Sequence, residues 1–305
     1  MSPRHVLLAL AVAVVWGVNF VVIHVGLGSA PPLLLAALRF TLVAALCAWW
    51  VPRPALSAGR LVALGSFLYV GQFGLLFTAM AVGMSPGLAA VLMQSQAVFT
   101  VVLAAVVLRE RPSRLQASGV AVASLGLLLI GADRVLAGGA SSSVVGFVLC
   151  LGAGLSWAVG NLVARRSGTT QGLGLVVWGS VVAAPVLLVA AAVEVGPSRL
   201  LPAVAAIDVP GMLALAYLTV LATVFGFGTW SSLVSRYPAA VVTPFTMLVP
   251  PVGLAAAWLA LGETVSPTAL AGSALVVGGL LVPQAGALGA RRRAARTPEP
   301  AVVTG

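Results

Sequence analysis

The chain consists of long apolar stretches separated by short segments rich in Pro, Gly and Arg. A helix needs about 20 apolar residues to cross a bilayer. These stretches are apolar on every side, whereas barrel strands are about ten residues long and alternate in polarity. The first stretch has no cleavage site, so we interpret it as a transmembrane helix rather than a signal peptide. The pattern predicts an all-α integral membrane protein with ten transmembrane helices, spans 1 to 10, at about 5–26, 32–51, 60–81, 86–108, 115–132, 144–164, 174–193, 211–234, 239–261 and 268–285.

The two halves of the chain resemble each other. The stretch "RERPSRLQASGVAVASLGLLLIG" after span 4 matches "GETVSPTALAGSALVVGGLLVPQ" after span 9 at a shift of 153 residues, which aligns Glu110 with Glu263. The same shift gives two glycine pairs, Gly119–Gly272 and Gly126–Gly279. Each half has five spans, an odd number, so the second half is predicted to be inverted in the membrane. Inverted repeats are a transporter architecture, with the substrate site near the midplane between the halves.

This organisation predicts two domains and a tail. The first five-helix repeat covers 5–132, and the second, inverted repeat covers 144–285. The segment 286–305 is polar and rich in Arg, and we expect a disordered, basic, cytoplasmic tail whose arginines favour anionic lipids. A monomer built from two such halves is sufficient for transport, and the sequence leaves the oligomeric state open.

Composition and charge place this chain in a membrane. It is 61% hydrophobic and 7% charged, whereas soluble domains have roughly a quarter of their residues charged. All sixteen basic residues are Arg. With the N-terminus in the cytoplasm, thirteen of them lie inside and only Arg134 and Arg199 lie outside. This bias predicts a multi-pass membrane protein with both termini cytoplasmic, and it is interpreted as a topology signal rather than as nucleic-acid binding.

Signals of catalysis and of cofactor binding are weak. Cys47 and Cys150 lie within predicted spans and lack metal-ligand spacing, so we expect neither a disulfide nor a metal site. The segment "GMSPG" at 83–87 matches a hydrolase nucleophile pattern, but it lies in a short turn rather than between a strand and a helix. No P-loop or dinucleotide fingerprint is present. The sequence therefore predicts no cofactor and no enzyme activity.

Polar side chains within the spans are candidates for the transport pathway, because lipid disfavours them. Trp16 and Asn19 are three residues apart and share one face of span 1. The stretch "LSWAVGN" repeats this pair in span 6 as Trp157 and Asn161. We predict that both pairs line a central cavity, and interhelical packing is the alternative.

Two ionisable residues in the first two spans have alternative interpretations. Arg39 is the one charge well inside a predicted span, and no carboxylate lies inside any span to pair with it. One interpretation is that Arg39 binds a substrate carboxylate. The alternative is a structural role, in which Arg39 contacts backbone carbonyls. His24 lies towards the outer end of span 1, where it carries a transported proton or is an ordinary interfacial side chain.

Amides and prolines complete the set of candidates. Gln94 and Gln96 point about 200° apart on a helix, so only one of them can face a cavity, and we favour Gln94. One further amide and two indoles are predicted cavity residues, at Gln72, Trp178 and Trp230. Three prolines predict a hinge or gate in span 9, with a static bend as the alternative, at Pro244, Pro250 and Pro251.

The chain resembles the EamA-type repeat of the drug/metabolite transporter superfamily over about residues 5–285. Matching stretches include "VVWGVNFVVIHVGL", "PPLLLAALRFTLVA" and "PFTMLVPPVGLAAAWLALGE". Within that superfamily it is most similar to the bacterial O-acetylserine/cysteine exporters. One departure is Arg109, which precedes Glu110 where the repeat commonly has Gly; the second repeat keeps Gly262.

The resemblance implies export of small metabolites across the inner membrane through a central cavity. We therefore expect an exporter of amino-acid-like compounds such as cysteine or O-acetylserine, working by alternating access. A transporter for another small solute, such as a nucleobase, a vitamin or a drug, is the alternative. A passive channel or a membrane-embedded enzyme is less favoured, because the sequence offers neither a ring of charges nor a catalytic constellation.

Overall fold

The computed structural model of the protein describes residues 1–136, 141–168 and 172–294, and these residues form helices and connections without a strand. Within these ranges, eight helices are long and apolar enough to cross a membrane, and two shorter apolar helices supply spans 2 and 10. The ten spans are Pro3–Leu27, Pro32–Cys47, Ala58–Ala81, Pro86–Val107, Arg114–Leu136, Ser141–Arg166, Leu173–Val195, Val209–Arg236, 239–261 and Pro267–Ala294. The predicted ten-helix class is confirmed.

Three elements differ from the expectation. Span 2 ends at Cys47 rather than at 51, and Trp49 and Trp50 beyond it are about 85% exposed, as is common for Trp at a membrane interface. A short helix at Pro197–Ala205 connects spans 7 and 8 where a loop was expected. Span 10 continues to Ala294, so 286–294 are helical rather than disordered, and 295–305 lie outside the described residues.

Four glycines bring spans 5 and 10 into close contact. A Cβ atom on Gly119 would lie 2.5 Å from the carbonyl oxygen of Gly279, and one on Gly126 would lie 2.5 Å from that of Gly272. Only a residue without a side chain allows this approach of two helix backbones. We call Gly119, Gly126, Gly272 and Gly279 the glycine seam. The first seam glycine of span 5, Gly119, contacts the second seam glycine of span 10, Gly279. The equivalent spans 5 and 10 therefore run antiparallel, as an inverted repeat requires.

The ends of spans 4 and 9 have the same local conformation. Arg109 and Gly262 both adopt the left-handed region, with φ of 55° and 64°. The amide that follows each donates to a carbonyl six residues back: Glu110 N to Ala104 O at 3.2 Å, and Glu263 N to Ala257 O at 3.3 Å. The departure at Arg109 thus leaves the turn unchanged and places a non-glycine residue where glycine is favoured.

Replacing Arg109 with Gly is expected to stabilise the protein by about 0.5–1 kcal/mol, because it relieves a left-handed conformation. The Arg109 side chain is exposed, so little packing is lost. The thermal unfolding midpoint in detergent should rise by a few degrees. The matched variant Gly262→Ala, at a position with open space around it, should lower that midpoint. A lower midpoint for Arg109→Gly would contradict the interpretation.

Four spans are irregular, and they form two pseudo-equivalent pairs. Spans 3 and 8 contain π-helical segments at Ser66–Gly71 and Tyr217–Phe225. Span 4 is broken between Pro86–Leu92 and Ser95–Val107, and span 9 passes through a 3-10 segment at Thr243–Leu248. Irregular backbone at membrane depth is tolerated where it is buried in protein or lines a cavity. These four spans therefore mark the region in which a site is expected.

Candidate functional site

Tryptophans from both repeats meet around one phenylalanine of span 8. The ring centroid of Phe227 lies 5.2 Å from that of Trp16 and 6.5 Å from that of Trp157. Trp230 lies one turn along span 8, with its ring 5.5 Å from Trp16. We call Trp16, Trp157, Phe227 and Trp230 the aromatic cluster. The three indoles are half-buried, so the cluster forms a wall that keeps some accessible surface.

The π-helical segment of span 8 is bound by side-chain and backbone groups of span 1. Trp16 Nε1 donates to the carbonyl oxygen of Ala222 at 3.0 Å, and the Tyr217 hydroxyl donates to the carbonyl oxygen of Val15 at 2.9 Å. Gly226 permits the approach, since a Cβ there would lie 2.5 Å from Trp16 Nε1. A π segment shifts the backbone hydrogen bonds of a helix, and such segments are frequent at functional sites.

The other repeat has a related contact. The Ser156 hydroxyl of span 6 donates to the carbonyl oxygen of Phe67 at 2.8 Å, within the π-helical segment of span 3. In both repeats, the first span of one half therefore binds the irregular segment of the other half. This arrangement couples the two halves through polar contacts as well as through packing.

Spans 4 and 9 meet where each is broken. Gln94 is buried, and its Nε2 lies 3.9 Å from the Met247 sulfur, which is a weak acceptor. The two residues are 153 positions apart, so they are pseudo-equivalent and touch across the twofold axis. Asn19 of span 1 is also buried, and its Oδ1 has no hydrogen-bond partner. A buried polar atom without a partner is costly, which favours a ligand at this level.

Arg39 connects spans 2, 3 and 8 inside the bundle. It is 2% exposed, and its Nε donates to the Thr223 hydroxyl at 3.0 Å. Its guanidinium lies over the Phe73 ring, with Cζ 4.4 Å from the centroid. Its Nη1 is buried and has no hydrogen-bond partner among the residues that the structure describes. The Arg39 guanidinium is therefore shielded from solvent and contacts a hydroxyl group and an aromatic ring. Its Nη1 can still donate a hydrogen bond to a ligand.

A family model described as "EamA-like transporter family" matches this chain twice, at residues 3–132 and 144–282. The chain belongs to the EamA-like transporter family. The two matches coincide with the two five-span halves. The prediction of a membrane transporter rather than an enzyme is confirmed.

Three curated relatives of this EamA-like transporter carry names that concern amino acids. A "probable amino-acid metabolite efflux pump" of Salmonella typhimurium is 40% identical, over 92% of this chain and 95% of its own length. A protein of the same name in Escherichia coli is 38% identical, over the same shares of both chains. A "probable terminal-alkyne amino-acid exporter" of Streptantibioticus cattleyicolor is 31% identical, over 93% of this chain and 94% of its own.

A solved crystal structure is among those similar in fold to this EamA-like transporter. The similarity has a TM-score of 0.64 at 21% identity and covers 96% of this chain and 99% of the other. At this identity it supports the fold alone.

The remaining predicted site residues of this EamA-like transporter are distributed around the bundle. Gln72 is buried and its Oε1 has no partner, whereas Asn161 is half-buried. Trp178 Nε1 donates to the carbonyl oxygen of Val51 at 3.0 Å, which places this indole against the connection between spans 2 and 3. His24 is exposed on span 1. Within the described part of the chain, neither Trp178 nor His24 makes a hydrogen bond or a ring contact with the aromatic cluster.

The prolines of span 9 mark the starts of helical segments rather than kinks within one. Pro244 is in the first turn of Thr243–Leu248, and Pro250 and Pro251 are in the first turn of Val249–Leu261. A first-turn proline loses no helical hydrogen bond, because its missing N–H would be unpaired there anyway. The prolines thus define where span 9 breaks.

Sequence reasoning missed residues that the EamA-like fold brings to the site. Phe227 is three residues before Trp230 and shares its helix face, so the spacing contained a signal. Met247 follows from Gln94 by the repeat shift of 153. Thr223 had no sequence signal, because its role depends on the approach of Arg39. Among the described residues, no group of three His, Cys, Asp or Glu could hold a metal ion.

Proposed function

We propose that the chain exports small amino-acid-like metabolites, such as cysteine or O-acetylserine, by alternating access. The observation that carries this proposal is the meeting of broken spans 4 and 9 at Gln94 and Met247, on the axis between two inverted halves. Discontinuous helices at a repeat interface are where secondary transporters bind substrates. The names of the relatives support amino-acid compounds as the substrate class.

The polar groups of the site suit a zwitterion. The amides of Asn19, Gln72 and Gln94 offer neutral donors and acceptors, and the first two have an unpartnered oxygen that an ammonium group would satisfy. The unpartnered Nη1 of Arg39 would be satisfied by a carboxylate. In this proposal the aromatic cluster walls the pathway, with Asn161 and Trp178 on its periphery. His24 lies outside the site, and a proton role for it stays a prediction.

Position in the membrane is part of the proposal. Both termini lie in the cytoplasm of a bacterial inner-membrane protein, because Arg residues are concentrated in the segments on that side. The Arg-rich C-terminal segment contacts anionic lipids of the inner leaflet. Span 9 acts as a hinge at the breaks defined by Pro244, Pro250 and Pro251, and one chain is enough to form the pathway.

Counterflow in proteoliposomes tests the substrate class. Proteoliposomes that contain the purified protein and are loaded with unlabelled cysteine or O-acetylserine should accumulate the radiolabelled compound. Liposomes without the protein should not accumulate it. Analogues without the carboxylate, such as amino alcohols, should compete poorly because they leave Arg39 Nη1 unpaired. Exchange of a nucleobase or a vitamin, without exchange of any amino acid, would replace the proposed substrate. A steady conductance in planar bilayers would indicate a channel.

A pair of glutamine variants separates the site from the scaffold in the same assay. Gln94→Leu should lower exchange about tenfold, since it removes a buried amide at the repeat interface. Gln96→Leu, two residues away and half-buried, should change exchange less than about twofold. Equal effects of the two variants, at equal amounts of folded protein, would contradict the assignment of Gln94.

A further inference from the structure

Equivalent segments of the two repeats differ in burial. The start of span 1 and the end of span 10 lie on one face of the membrane, which we call the terminal face, and the opposite face is the distal face. At the distal face every residue of Pro86–Leu92, the first half of span 4, is buried. The equivalent residues of span 9, 239–245, lie towards the terminal face, and Val242 among them is buried. Thr243–Leu248, which corresponds to the fully buried stretch 90–95 of span 4, has no buried residue. Span 4 is thus packed more tightly than the corresponding part of span 9, so the terminal side of the bundle is the more accessible of the two.

Glu263 links spans 4 and 9 at the distal face. It follows span 9, and its Oε2 accepts a hydrogen bond from the Gly87 amide at the start of span 4, at 2.9 Å. A Cβ on Gly87 would lie 3.0 Å from the other carboxylate oxygen, so glycine allows the contact. That second oxygen, Oε1, is buried and has no partner. The carboxylate is therefore enclosed between the ends of spans 4 and 9.

Glu110, the repeat equivalent of Glu263, has a different partner. Its Oε1 lies 2.7 Å from Nη2 of Arg165 at the end of span 6. Both side chains of this pair are about half exposed. The neighbouring Arg166 donates to the carbonyl oxygen of Val107 at 3.2 Å, which ties span 6 to the end of span 4. Similar backbone turns thus present two glutamates, one in a part-buried contact between spans 4 and 9 and one in an exposed ion pair.

We propose that Glu263 and Glu110 are alternating gate residues, and that Arg165 determines which of them is engaged. The proposal rests on alternating access but not on the identity of the substrate. Because the two halves share one fold in opposite orientations, each can adopt the conformation that the other has here. This exchange produces a second conformation of the whole bundle. In that conformation Glu110 leaves Arg165 and accepts from the amide of Ala240, the equivalent of Gly87, while Glu263 is released. The first conformation is open to the terminal face and the second to the distal face.

The expected direction of each substitution follows from these contacts. Glu263→Ala removes a charge-assisted hydrogen bond from the conformation seen here and favours the distal-open one. Arg165→Ala frees Glu110 to close the terminal face, which also favours the distal-open conformation. Glu110→Ala removes the contact with the amide of Ala240 that closes the terminal face in the distal-open conformation. In the present conformation it removes only an exposed ion pair, so it favours the present conformation. Arg165→Ala and Glu110→Ala therefore act in opposite directions, although they break the same ion pair.

Two equivalent cysteine reporters measure the conformations. In the full chain with Cys47→Ala and Cys150→Ala, Met93→Cys lies at the break of span 4 and Thr246→Cys at the break of span 9. Met93 is 5% exposed here, so a membrane-impermeant maleimide applied to the distal face should reach that reporter only in the distal-open conformation. Thr246 is half-buried and should react from the terminal face. Right-side-out and inverted membrane vesicles present the two faces separately.

With Glu263→Ala, labelling of Met93→Cys from the distal face should rise about tenfold. It should rise severalfold with Arg165→Ala and fall with Glu110→Ala. The control Thr264→Ala, an exposed neighbour of Glu263, should leave it unchanged. Parallel changes for Arg165→Ala and Glu110→Ala, or no change for Glu263→Ala, would overturn the proposal.

Labelling in denaturant normalises each rate to the total reporter, so a loss of folded protein is not read as gating. The labelling requires no substrate. A failed counterflow assay with a correct labelling pattern would reject the amino-acid proposal and leave the gate standing. Uniform labelling rates in all variants would reject the gate even if amino acids exchange.

Discussion

Replacing Gly279 with alanine is expected to remove most of the folded protein. A Cβ at this position would lie 2.6 Å from both the amide nitrogen of Ala123 and the carbonyl oxygen of Gly119. Both neighbours are backbone atoms, which cannot rotate away, so spans 5 and 10 must separate along the glycine seam. Overpacking of this kind costs about 2–3 kcal/mol. The measurement is the monodisperse fraction in size-exclusion chromatography, together with the thermal unfolding midpoint in detergent.

The adjacent glycine provides a matched control. Gly278 lies on the same span, and a Cβ there would meet no atom within 4 Å. Gly278→Ala should therefore leave the folded fraction unchanged and raise the unfolding midpoint slightly, because alanine has the higher helix propensity. Similar losses in both variants would show that span 10 is sensitive to any substitution, and the close approach at the seam would lose its support.

The second large effect is expected for Trp16→Ala. This change removes the ring that contacts both Phe227 and Trp230, and it leaves the carbonyl oxygen of Ala222 without its indole donor. The side chain is half-buried, so we expect a loss of about 2–3 kcal/mol of folding free energy, below the range for fully buried tryptophans. Amino-acid exchange per folded molecule should fall at least about tenfold, since a wall of the proposed pathway is lost.

Two further tryptophan variants separate the causes. Trp16→Phe keeps an aromatic ring and loses only the hydrogen bond, so it should cost about 1 kcal/mol. Trp258→Ala removes an indole that is 62% exposed and should change folding by less than about 0.5 kcal/mol. If Trp16→Ala exchanges substrate at the normal rate per folded molecule, the aromatic cluster is scaffold and not pathway.

The periodicity and the repeat predicted much of this fold. Ten apolar stretches became ten helices, and the glycine pairs of the 153-residue shift became the seam between spans 5 and 10. The recurrence of Trp16 as Trp157 placed indoles in both halves, and the structure brings their ring centroids to 5.2 and 6.5 Å from that of Phe227. These features are local or periodic, so they can be identified from a single sequence.

Features that depend on the meeting of distant spans could not be predicted. The π-helical segments have no composition that separates them from ordinary apolar helix. Trp178 resembled the other indoles in sequence, yet its partner is a carbonyl in the connection between spans 2 and 3. Arg39 offered a charge without a partner, and Thr223 and Phe73 come from spans whose contacts no local pattern specifies.

The glycine seam has a special position among the contacts of the protein. It joins spans 5 and 10, which are each other's repeat equivalents, so exchanging the two halves maps the seam onto itself. A cycle that swaps the conformations of the halves can therefore leave this pair of helices where it is, while spans 4 and 9 trade places in depth and burial. The glycine seam is then the fixed axis of such a cycle. Its tight backbone packing does not oppose the movement of the other helices, because spans 5 and 10 keep their positions relative to each other.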